Sequence, residues 1–169
     1  MNKEMTVKLA KTLSAFALVF SSQFIAADIT RDKDLTIEKL TTDISLGWGM
    51  DYLNNKTLLI TSREGQLFQY DFDTHQKMEI QDLPEDILVE GQGGLFDVKH
   101  APDFDKTGWI YFSYAKDVDG KGATTLARAK LDNNKLIDWQ ELLVTQSRTG
   151  NDVHYGGRIT FDGQGHIFL

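Results

Sequence analysis

Short apolar runs separated by turns rich in Gly, Asn and Asp recur along most of the chain, and helical periodicity is scarce. The first four runs predict strands at 46–52, 57–61, 66–70 and 77–80. The segments between them are short and carry turn residues, which is how neighbouring antiparallel strands are joined. This part of the chain therefore predicts a four-stranded meander.

The same pattern returns twice. A second round predicts strands at 94–98, 109–114, 125–129 and 135–144, with loops at 100–106 and 117–122, and a third predicts strands at 158–161 and 166–169. Each round opens on a glycine, at Gly47, Gly94 and Gly157, so the spacings are 47 and 63 residues. We attribute the longer spacing to an insert between Val144 and Gly157.

Four-stranded sheets that repeat at about 40–50 residues are typical of β-propellers. The predicted fold class is therefore all-β, a β-propeller, with about two and a half blades in this chain. A β-sandwich, which is also built from short strands and turns, is the alternative. A propeller removes its sheet edges by closing a ring, which this number of blades cannot do. We therefore expect the chain to be part of a longer protein and to expose sheet edges on its own.

The N-terminus has the order of a secretory signal peptide, with lysines first, then an apolar run at 13–20, then Ala26 and Ala27. The run is too short to span a bilayer, which takes about 20 residues. We predict a cleaved signal at 1–27, a lead-in at 28–43 and the partial propeller at 44–169. The expected location is periplasmic or secreted, without stable membrane insertion. An uncleaved anchor or an amphipathic helix is the alternative for 1–27.

Charge and cysteine content narrow the function. The formal net charge of −7 becomes −9 without residues 1–27, and no basic stripe is present. This charge argues against nucleic acid as a partner and favours a small neutral or cationic ligand. The chain has no cysteine, which excludes disulfides, thiolate catalysis and cysteine-bound metals.

Two segments are unusual for plain structure. In the first, glycines surround Gln92, which predicts a close backbone approach and an amide directed at a ligand, or simply a tight loop entering a blade. In the second, His154 precedes Gly156, Gly157 and Arg158. An imidazole at the start of a propeller strand suits proton abstraction from a hydroxyl. Arg158 would pair a carboxylate or brace a neighbouring loop. A structural histidine is the alternative.

Other motifs carry less weight. The segment 117–120 resembles the opening of a calcium loop, but its glycine comes too early and no glutamate closes it, so we predict a hairpin loop. No P-loop, Rossmann fingerprint or nucleophile elbow is present.

In this order and spacing, five segments resemble the soluble sugar dehydrogenases that use pyrroloquinoline quinone (PQQ), the glucose and aldose dehydrogenase group. They are Gly91–Val98, His100–Phe104, Gly108–Tyr114, Leu126–Ala129 and His154–Asp162. The likeness covers residues 44–169.

The resemblance implies a six-bladed propeller in which calcium orients PQQ over the channel. It implies that His154 takes the proton of the anomeric hydroxyl of an aldose while hydride passes from C1 to the quinone, giving a lactone. Gln92 would line the same pocket and contact cofactor or sugar, with Gly156, Gly157 and Arg158 in support. An electron acceptor would then reoxidise the cofactor, and the calcium ligands are expected beyond residue 169.

One departure bears on the substrate. The glucose dehydrogenase branch has Asp directly before the catalytic His, where this chain has Val153, with Asp152 one place earlier. The chain is thus more similar to the aldose dehydrogenase branch. A non-catalytic sugar-binding propeller and a lactonase-type six-bladed hydrolase are the competing functions.

Overall fold

In the computed structural model, residues 37–151 and 153–169 are described, Thr149 by its backbone alone. The chain divides into two compact units, Met1–Glu38 and Lys39–Leu169, and nearly all of the first lies outside the described residues. The predicted signal peptide and most of the predicted lead-in lie there too. In the part that is described, no helix is long and apolar enough to cross a membrane.

The first sheet is an antiparallel meander of four strands in chain order. They are β1 (Gly47–Asn54), β2 (Thr57–Ser62), β3 (Gln66–Asp71) and β4 (Gln76–Ile80). Every residue of β2 is buried, because this strand lies between neighbours and is covered on both faces. The predicted meander is confirmed.

The second sheet has the same order, with β5 (Leu95–His100), β6 (Trp109–Val118), β7 (Lys121–Asp132) and β8 (Lys135–Thr149). Two predicted loops were wrong. A one-turn helix, α1 (Phe104–Thr107), occupies part of the loop predicted at 100–106.

The loop predicted at 117–122 is instead a two-residue hairpin turn, with φ of 54° at Asp119 and 74° at Gly120. Turns of this handedness match the twist of the flanking strands, which is why β6 and β7 continue up to them. The predicted hairpin at 117–120, as opposed to a calcium loop, agrees with this geometry.

A third sheet begins with β9 (Thr160–Phe161) paired antiparallel to β10 (Ile167–Phe168). The Asp162 carboxylate shapes the turn between them, accepting hydrogen bonds from the N–H of Gln164 at 2.7 Å and of His166 at 3.1 Å. Both strands were predicted, although each is shorter than expected. The described residues thus contain two complete blade-type sheets and the opening of a third.

The main core lies between the two complete sheets and joins them in one cluster. Its buried members include Leu59 and Leu67 from the first sheet and Leu95, Val98 and Phe112 from the second. Apolar burial of this kind, at roughly 25 cal/mol per Å², is the dominant stabilising term. This core holds β1 of the first sheet beside β5 of the second.

Candidate functional site

Four strand ends meet at one end of the second sheet, where β5 and β7 begin and β6 and β8 end. Leu95 at the start of β5 pairs with Tyr114 of β6, so the β6–β7 hairpin projects past the start of β5. The loop before β5 runs along this projection. The N–H of Leu88 donates to the Ala115 carbonyl at 2.8 Å, and the Ala115 N–H donates to the Gly94 carbonyl at 2.9 Å.

Gln92 and His154 meet at this end. The Gln92 Oε1 accepts a hydrogen bond from the backbone N–H of His154 at 2.8 Å, across 62 positions of sequence. Both side chains are exposed. His154 has φ of 69°, in the left-handed region that non-glycine residues rarely enter and that occurs disproportionately at functional sites. The Gln92 bond holds the imidazole-bearing residue in this conformation.

The glycines around Gln92 allow neighbouring backbone segments to approach closely. A Cβ at Gly93 would lie 2.6 Å from the Leu88 carbonyl oxygen, and one at Gly94, where φ is 140°, would lie 1.9 Å from the Arg63 carbonyl oxygen. Arg63 also donates from Nη1 to the Gly91 carbonyl at 2.5 Å. The close approach predicted for this loop is therefore made, at Gly93 and Gly94, to neighbouring chain segments.

Asp97 anchors residues 157–159, which lie shortly after His154 in the chain. Its side chain is fully buried, with Oδ1 accepting from Arg158 Nη1 at 3.2 Å and Oδ2 accepting from the Ile159 N–H at 2.9 Å. The Ser113 hydroxyl accepts from the Asp97 N–H at 3.1 Å and donates to the Gly157 carbonyl. Residues 157–159 are thereby tied to β5 and β6, and Arg158 braces them from an exposed position.

The two glycines after His154 have different surroundings. A Cβ at Gly157 would come within 2.8 Å of Phe96, whereas one at Gly156 would meet nothing within 4 Å. The Phe96 ring also packs against Trp48 and Tyr155, at centroid distances of 5.5 and 5.7 Å. Gly157 therefore permits close packing on Phe96, and Gly156 leaves open space beside His154.

A pocket of about 250 Å³ adjoins His154 on the side of β7 and β8. The Tyr155 ring forms one wall and lies over Gly122, where a Cβ would be 1.8 Å from the Tyr155 hydroxyl. The remaining lining residues are Thr124, Thr145, Ser147, Asn151 and Val153.

The other histidines are placed elsewhere. His75 bonds the Tyr70 hydroxyl, His100 pairs with Asp51 at 2.6 Å, and His166 pairs with Asp162 at 2.6 Å. Among the residues that the structure describes, no group of three or more His, Asp or Glu side chains could hold a metal ion. Asp152 lies outside them.

Sequence reasoning assigned no role to Asp97 or Ser113. The signal was present, since a charged residue inside the apolar strand 94–98 is costly to bury unless it is hydrogen-bonded. Its partners could not be read from the chain, because Arg158 and Ile159 lie some sixty positions away.

The chain is similar in sequence to known proteins. Residues 44–169 match the family model described as Glucose / Sorbosone dehydrogenase. The aldose sugar dehydrogenase YliI of Escherichia coli K12 is 31% identical over 156 residues, which cover 90% of this chain and 41% of that protein. The chain thus spans about two fifths of the length of this relative.

Solved structures agree. The apo form of the soluble aldose sugar dehydrogenase from Escherichia coli superposes with a TM-score of 0.72 at 31% identity, covering 78% of this chain and 39% of that one. A PQQ-bound aldose sugar dehydrogenase from Streptomyces coelicolor gives a TM-score of 0.65 at 23% identity, covering 74% and 37%. At that identity the second match speaks for the fold alone, and the predicted partial propeller is confirmed.

Proposed function

The chain belongs to the glucose/sorbosone dehydrogenase family, and we propose that it carries the proton-accepting part of the active site of a PQQ-dependent dehydrogenase that oxidises aldoses at C1 to lactones. The observation that supports this most is the hydrogen bond between Gln92 and the backbone of His154. It joins the two residues expected to act together. It also holds His154 in a left-handed conformation that nothing in the local sequence requires.

In this proposal His154 is the general base. Its exposed imidazole accepts the proton of the C1 hydroxyl as the C1–H bond breaks and its electron pair leaves as hydride, so that the carbonyl of the lactone forms. Gln92 fixes the backbone of the base. Asp97 and Ser113 hold the segment that follows it, so the base is positioned before the sugar arrives.

The exposed groups at this end fit one side of PQQ, a flat and anionic quinone. Gly156 has open space where a side chain would project. The Gln92 NH2 and the exposed Arg158 guanidinium are donors suited to carbonyl and carboxylate oxygens. We propose that these residues contact the bound cofactor, which supplies the two-electron acceptor for hydride. Calcium is proposed as its partner ion.

The first test is aldose-dependent reduction of a redox dye by the protein expressed from its whole coding sequence, with PQQ and calcium added. His154→Ala should lower kcat by about 100-fold or more, the usual contribution of a general base, while PQQ binding followed by absorbance is retained. His100→Ala, which removes an imidazole at the other end of β5, serves as the matched control. Normal turnover in His154→Ala would refute the role assigned to this residue.

The same assay separates the competing functions. A lactonase-type propeller would open lactones without PQQ, and a sugar-binding propeller would bind aldoses without reducing the dye. Dependence of dye reduction on both PQQ and calcium is the result that supports the dehydrogenase.

We also propose that residues 1–27 direct export to the periplasm or the medium. N-terminal sequencing of the exported protein should then begin at Asp28. Recovery of the protein only inside the cell, with Met1 or Asn2 at its terminus, would contradict this.

A further inference from the structure

The strands of the second sheet extend further than those of the first at the end where Gln92 and His154 lie. Strands β6 and β7 have 10 and 12 residues, whereas β2 and β3 have 6 each. Strand β8 has 15. The additional length projects past the start of β5 and forms a wall beside residues 153–155. No such wall stands on the first sheet, whose β2–β3 turn follows directly after Ser62.

The wall turns hydroxyl groups toward His154. Thr124 of β7 and Thr145 and Ser147 of β8 line the pocket of about 250 Å³ that adjoins the imidazole. The register of β7 with β8 shifts between the pairs Ala123–Arg148 and Thr125–Val144. Bulges of this kind redirect side chains and are frequent beside active sites. Here the shift lies at the level of these three hydroxyls.

The lining of the pocket is polar but uncharged. Of the described residues that form it, none is Asp, Glu, Lys or Arg, and the Asn151 amide adds to the three hydroxyls. The Tyr155 ring closes one side, held in place because Gly122 has no side chain. Hydroxyl and amide groups beside an aromatic ring suit a neutral polyhydroxylated ligand, which both donates and accepts hydrogen bonds and has apolar C–H faces.

We propose that this pocket binds the hydroxyls of the aldose that are remote from the oxidised carbon, with Thr145 and Ser147 as determinants of sugar affinity. The inference rests on the proposed function, since it takes the C1 hydroxyl to lie at His154. In this proposal the ring enters the pocket with C1 at the imidazole, so that its other hydroxyls lie near Thr145 and Ser147 of β8. The Thr145 hydroxyl, which otherwise reaches the Ser147 carbonyl at 3.4 Å, turns to the sugar.

The experiment measures glucose binding by calorimetry on the protein expressed from its whole coding sequence and carrying His154→Ala to prevent turnover. Thr145→Val and Ser147→Ala should each raise the Kd about fivefold, the effect of one lost neutral hydrogen bond. Gln146→Ala is the matched control, because Gln146 lies between the two on β8 and is absent from the pocket lining. Thr145→Ser, which keeps the hydroxyl, should retain the affinity. Thermal unfolding of each variant verifies that it is folded.

A second readout is the steady-state kinetics of the protein that retains His154. In this protein, Thr145→Val and Ser147→Ala should raise KM for glucose with kcat little changed, the signature of lost binding that is equal in the ground and transition states. If glucose binds and neither Kd nor KM changes in these variants, the pocket is not the sugar site, while the proposed function stands. If a protein with His154 intact binds and oxidises no aldose, the proposed function fails and this inference with it.

Discussion

Asp97 has no exposed side-chain surface, yet it makes a link that holds the residues after His154 in place. The link has a counterpart. Asp51 in β1 accepts from the His100 N–H at 2.8 Å and from Lys99 Nζ at 3.3 Å, just as Asp97 accepts from a backbone N–H and from the basic residue before it. Asp51 in β1 thus binds the end of β5 in the second sheet, and Asp97 in β5 binds the residues that lead into β9 of the third sheet.

The two carboxylates permit a matched comparison. Asp97→Asn replaces an acceptor with an NH2 group that faces the Ile159 N–H or Arg158. We expect a loss of about 2–3 kcal/mol of unfolding free energy, because a buried donor is left without an acceptor. The kcat for aldose oxidation should fall with it, because residues 157–159 begin only three positions after His154. Urea unfolding and steady-state kinetics provide the measurements.

Asp51→Asn is the control, since it removes the same kind of bond at the opposite end of β5. It should lower stability and leave kcat close to that of the unsubstituted protein. If both substitutions reduce kcat equally at temperatures where both variants are folded, Asp97 has a structural role only and no part in positioning the site.

At the scale of elements, the alternation of polar and apolar residues was enough to predict every strand of the two complete sheets. It underestimated β6, β7 and β8, because polar residues such as Lys116 and Arg148 sit in strands that project into solvent and no longer follow the core pattern. The turn at Asp119 and Gly120 was predicted as a longer loop for the same reason. The projection and the pocket it forms therefore required the structure.

The residues of the candidate site also fall into two groups, those that the sequence indicated and those that only the structure identified. Gln92 and His154 were recognisable from their glycine-rich surroundings, but their contact depends on the packing of β5 against the segment before β9. Asp97 and Ser113 lie in apolar runs, where a polar group attracts little notice. Tyr155 lies beside His154, but its packing over Gly122 is a non-local contact, as are the bonds of Asp97 and Ser113. A single sequence does not show which distant residues pair.

The second sheet also contains a charged cluster that ties its strands together. Glu141 of β8 accepts from the Tyr114 hydroxyl at 2.7 Å and pairs with Lys116, which also pairs with Asp86 at 2.9 Å. Burial raises the pKa of Glu141, but the hydrogen bonds from Lys116 and Tyr114 outweigh it and the net pKa is lowered. The pKa of Lys116 is raised, chiefly by its hydrogen bond to Glu141. The pKa of Tyr114 is raised, first by burial and then by its hydrogen bond to Glu141.

These shifts predict two limits of stability. The Glu141 contribution is present above its unfolded pKa of 4.5 and is lost as the pH falls through the lower folded pKa. The contributions of Lys116 and Tyr114 are complete below their unfolded values of 10.5 and 10.0 and are lost as the pH rises through the higher folded values. We expect a plateau in unfolding free energy between about pH 5 and pH 10, measured by urea titration.

Glu141→Gln should remove the acid contribution of residue 141 and reduce the alkaline limb, because Lys116 and Tyr114 lose their shared partner. The alkaline limb should persist in part, since burial of Tyr114 and the Lys116–Asp86 pair remain. Glu79→Gln, at a β4 position whose only described side-chain contact is Gln66 at 3.3 Å, is the control and should keep both limbs of the profile. An unchanged profile in Glu141→Gln would show that the cluster contributes no pH-dependent stability.

At the scale of the whole molecule, the first sheet has one face covered by the second sheet and another that is open along β1. Met50 and Tyr52 of β1 are 60% and 57% exposed, and they pair with Ile60 and Leu58, which places all four on the face turned away from the second sheet. Leu58 and Ile60 are themselves buried, with Leu40, Ile44 and Phe72 packed against them, so the exposed apolar surface is that of β1. An apolar face of this kind marks a surface where another element packs or where chains associate.

The open face leads to a prediction with different outcomes for residues 28–169 alone and for the longer protein. A polypeptide of residues 28–169 should self-associate through this face, and the double substitution Met50→Lys and Tyr52→Lys should reduce that association, as measured by light scattering after gel filtration. We propose that a further sheet covers this face in the protein expressed from its whole coding sequence. The same pair should then lower the unfolding free energy of that protein by several kcal/mol, because the introduced charges would be buried. Met78→Lys, at an outer-strand position that is 44% exposed, should change stability little in either case. If the double substitution leaves the longer protein as stable as before, no sheet packs on this face, and the ring does not close against β1.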